Sequence, residues 1–62
     1  MTQEQKNEIE HLLEEYTNLA NKYWENGDDS PNHYWKGQVM GMCKVLDRVS
    51  DIDTSFYLKR LL

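Results

Sequence analysis

Glu8 and His11 stand three residues apart. That is the spacing at which a helix in a di-metal carboxylate bundle offers two ligands to its core. On a regular helix, however, His11 falls almost opposite the apolar stripe of its own segment. A ligand must face the bundle interior, so no metal site is expected here. Asp28, Asp29, Ser30 and His33 lie within six residues. Serine, histidine and aspartate are the types used for nucleophilic catalysis. Ser30-Pro31 explains the cluster more simply, as an N-cap followed by proline in the first helical turn. Cys43 is the single cysteine. It falls mid-helix beside an apolar arc, and Lys44, adjacent in sequence, points elsewhere on the helix, so Cys43 reads as a small buried hydrophobe. No catalytic residue, metal ligand or cofactor motif emerges, and the chain is read as a non-enzyme.

The elements that carry these residues are helices. Ile9, Leu12, Tyr16, Leu19 and Tyr23 follow alternating steps of three and four, as do Trp35, Gln38, Met42, Val45, Val49 and Ile52. That alternation is the spacing of a helix seam facing another helix. The first helix is predicted over about 3–26. Thr2 and Gln5 would form a capping box, and Gly27 would supply the left-handed stop. Its buried stripe is Ile9, Leu12, Leu13, Tyr16, Leu19, Ala20, Tyr23 and Trp24, opposite a polar face with Glu10, His11, Glu14 and Glu25. A second helix is predicted over about 31–50, with Ser30 as its N-cap. The short link makes it antiparallel to the first. A third, short helix is predicted over about 55–61, with Phe56, Tyr57 and Leu61 on one side and Lys59 and Arg60 on the other. Leu61-Leu62 are expected to fold back on the hairpin or join a neighbour. The fold class is therefore all-α: one small domain over 1–62, an antiparallel helical hairpin plus a short C-terminal helix, dimerising into a helical bundle.

Composition narrows the function classes. Sixty-two residues lie near the lower limit for a self-sufficient core, and one cysteine allows no internal disulfide. Extra stability is expected from oligomerisation or a partner, and a reducing cytoplasm is the expected location. No apolar run reaches membrane-spanning length. The polar start Met1-Thr2-Gln3-Glu4-Gln5 lacks the pattern of a signal peptide. Residues 1–29 hold eight acids and two lysines, whereas residues 30–62 hold three acids and five basic residues. An acidic first half argues against nucleic acid as the main ligand. The two halves are expected to attract each other across the hairpin, or the acidic face to dock on a basic partner.

The second helix carries the features that point to association. Its apolar arc is wide enough to touch two neighbours. Gly37 and Gly41 lie at one edge and would let another backbone approach. Gln38 occupies a seam position, where a polar residue fixes register and oligomeric state. It is expected to meet its own copy in a two-fold dimer, or else to bond Tyr16 or Tyr23 within the chain. The predicted oligomer interface is Gly37, Gln38, Gly41, Met42, Val45 and Val49. Tyr23, Trp24, Tyr34 and Trp35 crowd the turn end, and Tyr and Trp are the residues of binding hot spots. Glu10, Glu14 and Glu25, with Trp24 and Trp35, are the predicted protein-binding residues.

The run Tyr34-Trp35-Lys36-Gly37-Gln38, followed by Gly41 and Leu46, resembles a pattern of small helical-hairpin proteins of bacteriophages and mobile elements. That resemblance implies a small inhibitor that binds and blocks a host or defence protein. Two other readings stand beside it. One is an oligomer that sequesters a nucleotide, with aromatics on the base and Lys36, Lys44 or Arg48 near phosphate. The other is a DNA-binding regulator, with Ser55, Tyr57, Lys59 and Arg60 on a recognition helix.

Overall fold

The computed structural model describes all 62 residues and contains three helices: α1 (Gln3–Glu25), α2 (Asp29–Val49) and α3 (Thr54–Leu58). α1 starts as its sequence dictates. The Thr2 hydroxyl accepts from the Gln5 amide at 3.1 Å, and the Gln5 side chain accepts from the Thr2 amide at 3.0 Å. Both would otherwise be orphan donors of the first turn. α1 ends in a Schellman motif. The Gly27 amide bonds the Trp24 carbonyl and the Asp28 amide bonds that of Tyr23. The motif needs a left-handed residue at Gly27, whose φ is +76°.

α2 begins two residues earlier than the sequence suggests. Asp28, not Ser30, precedes the first helical residue, and its carbonyl accepts from the Asn32 amide. Pro31 still lies in the first turn, where a missing amide hydrogen costs nothing. The connection shrinks to Asn26-Gly27-Asp28 and folds α2 back antiparallel along α1. At its far end the Ser50 hydroxyl donates to the Leu46 carbonyl and accepts from the Ile52 amide, turning the chain toward α3. α3 is shorter than predicted and is capped by Asp53, whose carboxylate accepts from the Phe56 amide and the Ser55 hydroxyl.

The core is small: Leu13, Val39, Cys43, Leu46, Ile52 and Tyr57, with Ile9, Tyr16, Met42 and Leu61 packed around it. This corrects the predicted seams. The line joining α1 to α2 is Leu13, Thr17 and Ala20 against Asn32, Val39, Cys43 and Leu46, all buried. Leu12, Val45 and Val49 are exposed instead. The reason is the third element. Ile52 and Tyr57 join Leu13, Cys43 and Leu46 in one cluster, with Leu61 packed against it, so the buried face of each long helix is the one that also meets this segment. The heptad positions are thereby split: Ile52 is buried and Ile9, Tyr16 and Met42 pack against the core, while Leu12, Val45 and Val49 are left exposed.

Three buried polar groups support this arrangement, and the apolar pattern gave no sign of them. Asn32 is 1% exposed, and its amide donates to the Ala20 carbonyl at 2.8 Å, tying the two helices together at the turn end. Thr54 is buried, and its carbonyl faces the Cys43 thiol at 3.8 Å. Thr17 is fully buried and its hydroxyl has no partner. It is tolerated as a small residue at the helix contact, at a cost of about 1–3 kcal/mol for the unmade bond.

Candidate interaction surface

The hairpin has two unlike sides. One is covered by α3 and the segment beyond it, held by polar ties. Arg60 places its two terminal nitrogens on the Glu14 carboxylate at 2.6 and 2.8 Å, and a third contact reaches the Asn18 side chain. The same guanidinium lies over the Phe56 ring, 5.3 Å from its centroid. The Asn21 side chain donates to the Arg60 carbonyl and accepts from the Leu62 amide. The Tyr57 hydroxyl reaches the Glu10 carbonyl at 3.5 Å. These contacts replace the prediction that Lys59 and Arg60 point away from the hairpin. Arg60 is a clamp and Phe56 is an exposed cover.

The perturbed titrations also sit on this side. The Arg60 hydrogen bonds hold Glu14 below the usual carboxylate range. Burial pushes the Cys43 thiol up. Burial, then the charges of Glu10 and Glu14, push the Tyr57 phenol up. Asp53 is lowered by its bonds from Ser55 and Phe56. Each shift follows from a packing or capping contact already described. No three His, Cys, Asp or Glu side chains come together to hold a metal ion.

The opposite side has no cover. On α1 it presents Leu12, Tyr16, Leu19 and Tyr23, and on α2 Tyr34, Trp35, Gln38, Met42, Val45 and Val49. Residues three and four apart share a face, so most of the two predicted heptads lie side by side here, with Tyr34 beside them, whereas Ile52 is in the core and Ile9, Tyr16 and Met42 also pack against it. Tyr34, Val45 and Val49 are 59, 60 and 68% exposed. Between the helices runs an open groove of about 400 Å³ lined by Ile9, Gly41, Met42, Val45 and Leu46. At the turn end the Tyr16 and Trp35 rings lie 5.0 Å apart, and Tyr34 meets Trp35 edge to face at 4.9 Å.

The predicted interface residues Gly37, Gln38, Gly41, Met42, Val45 and Val49 therefore line this side or its α2 edge. Within the chain they do little. A Cβ added at Gly37 or Gly41 would meet nothing within 4 Å, so neither glycine serves a contact inside the hairpin. Gln38 is exposed and bonds neither Tyr16 nor Tyr23, against the expectation of a buried amide.

The predicted protein-binding set is not brought together. Glu14 is engaged by Arg60, Glu10 is half-buried beside Tyr57, and Glu25 and Trp24 stand exposed at the turn end. Trp35 lies on the uncovered side against Tyr16. The nucleotide arrangement is also dispersed. Lys44 borders a groove toward Thr54 and Leu58, and Arg48 is about 20 Å along α2 from Trp35 at 1.5 Å per residue. Of the proposed DNA-reading residues, Ser55 bonds Asp53, Tyr57 is buried and Arg60 is clamped. No helix is long and apolar enough to cross a membrane. No known protein family, curated protein or solved structure matches the chain.

Proposed function

We propose that this chain is a non-enzymatic protein-binding module that works through the uncovered side of its hairpin. The supporting observation is the run of exposed apolar residues at heptad spacing across two adjacent helices, Leu12 on one and Tyr34, Val45 and Val49 on the other. Exposed apolar residues gathered on one side are a mark of an association site. Tyr34, Trp35 and Tyr16 supply its aromatic anchor at the turn end. The acidic residues serve at its rim. Blocking a host or defence protein is the form such binding takes in the phage-type proteins that the second helix resembles.

A photo-crosslinking amino acid at Val45, compared with one at Lys59 beside α3, tests the reading in the cells where the chain occurs. A discrete protein adduct from position 45 and none from position 59 is the expected result. Equal labelling from both positions, or none from either, would overturn it. A nucleotide-sequestering oligomer is the second reading, favoured only by the exposed Tyr34 beside Trp35. Titration with nucleoside triphosphates, followed by Trp fluorescence, separates it from the first.

A further inference from the structure

Building on the reading that the uncovered side binds protein, we propose that its occupant is a second copy of this chain, packed so that α1 of each copy lies over α2 of the other.

The two edges of the uncovered side are complementary in size. The α1 edge carries bulk, Leu12 and Leu19. The α2 edge is low at Gly37 and Gly41, which are open to solvent, between Tyr34 at the turn end and the valines at 45 and 49. A twofold axis parallel to the helices sets each bulky edge into the other copy's low edge, twice. The same axis preserves levels along the hairpin. Ile9 is level with Met42 to Leu46, Tyr16 with Trp35, and Ala20 with Asn32. Leu12, between Ile9 and Tyr16, is therefore level with Gly41. Leucine over glycine is a knob over a hole.

Charge follows the same rule. The outer edge of α1 carries Glu4, Glu8 and Glu15, and that of α2 carries Arg48; none of these four forms an ion pair within the chain. On the level relation above, Glu4 stands opposite Arg48 of the other copy. An axis crossing the helices would lay α1 on α1, setting one acid-lined edge against another.

Area and stability agree. The molecule measures 37 × 19 × 15 Å, so its broad side offers about 700 Å² per copy. A standard stable interface takes roughly 800 Å² per partner. Only 10 of 62 residues are buried in the single chain, a core of the size that small domains supplement by association.

Light scattering after size exclusion, across a dilution series, gives the first test. Twice the chain mass of 7.4 kDa is expected, falling to one chain mass on dilution. One chain mass at every concentration would overturn the proposal. It would leave the protein-binding reading standing if position 45 still labels a different protein. Val45→Glu is expected to give a monomer that keeps its helical circular dichroism.

Oxidative crosslinking tests the arrangement independently of that variant's folding. Leu12→Cys and Gly41→Cys, made in separate chains and mixed, are expected to form a disulfide-linked pair that neither forms alone. Efficient linkage of Leu12→Cys chains to one another would overturn the crossed packing.

Discussion

The two sides of the hairpin are built from helices of similar amphipathic character yet have opposite fates. The α3 side joins a few apolar residues to many directional contacts: a two-pronged Arg60–Glu14 pair, the Asn21 amide holding the segment beyond α3, and the Thr54 carbonyl over Cys43. The other side is apolar, regular in spacing and uncovered. Apolar periodicity states that a helix has a face to bury. It does not state whether the same chain or another one buries it. Here the chain covers one side with its own third helix and leaves Leu12, Val45 and Val49 of the heptads exposed on the other.

The sharpest way to break this contrast is through the core that both sides share. Leu13 is fully buried at the centre. Leu13→Ala should cost about 2–5 kcal/mol, read as a large fall in the midpoint of thermal unfolding. A cost below about 1 kcal/mol would show that the long helices pack on another line. Next comes the tie at the turn end. Asn32→Ala removes the bond to the Ala20 carbonyl and leaves a buried gap, at a cost of about 1–3 kcal/mol, measured by urea denaturation. Thr17→Val works in the other direction. The hydroxyl has no partner, so its isosteric replacement should raise stability by about 1 kcal/mol.

The clamp on the covered side is smaller in effect and tests the contrast by pH. Glu14 and Arg60 are partly exposed, so Arg60→Ala should cost no more than about 1 kcal/mol. Glu14 has a lowered pKa in the fold. Its contribution is complete above the ordinary glutamate value of about 4.3. It is lost as the pH falls through the lower value held in the fold. The NMR signals of Phe56 and Tyr57 should therefore shift in acid before those of Trp35 on the uncovered side, and Arg60→Ala should abolish that difference.

The smallest effect sharpens the comparison most. Gly37→Ala and Gly41→Ala face open space in the single chain. Each should stabilise an isolated chain by about 0.5–1 kcal/mol through helix propensity. Where a neighbour packs on the glycines, the gain at Gly41 disappears or reverses. Measuring both variants at high and low protein concentration shows which condition holds.

Helix 1 was legible because its signals are local. A capping box, a clean polar face and a left-handed glycine lie within the segment they control. The start of α2 was misplaced because Ser30-Pro31 satisfies the same cap statistics that the Schellman turn overrides two residues earlier. The candidate interface residues were legible as a periodic pattern. Their position relative to the hairpin core was not, because heptad spacing is silent on which side of the helix the nearest partner takes. Arg60 was assigned outward because its partner, Glu14, lies 46 residues away and shares no local pattern with it. Asn32 and Thr17 carry no apolar signal at all, so only packing could reveal that they are buried.

The sequence by itself determined that this chain forms helices, where α1 begins and ends, that α2 returns antiparallel, and that more apolar face exists than two helices can hide. Those properties rest on short-range hydrogen bonding, backbone stereochemistry and the 3.6-residue period. Only the tertiary structure decided which faces meet, because that depends on where a five-residue helix and its flanks find room. α3 and the segment beyond it cover one side of the hairpin, where Tyr57 joins the core and Arg60 pairs with Glu14. The remaining side is covered by no element of this chain.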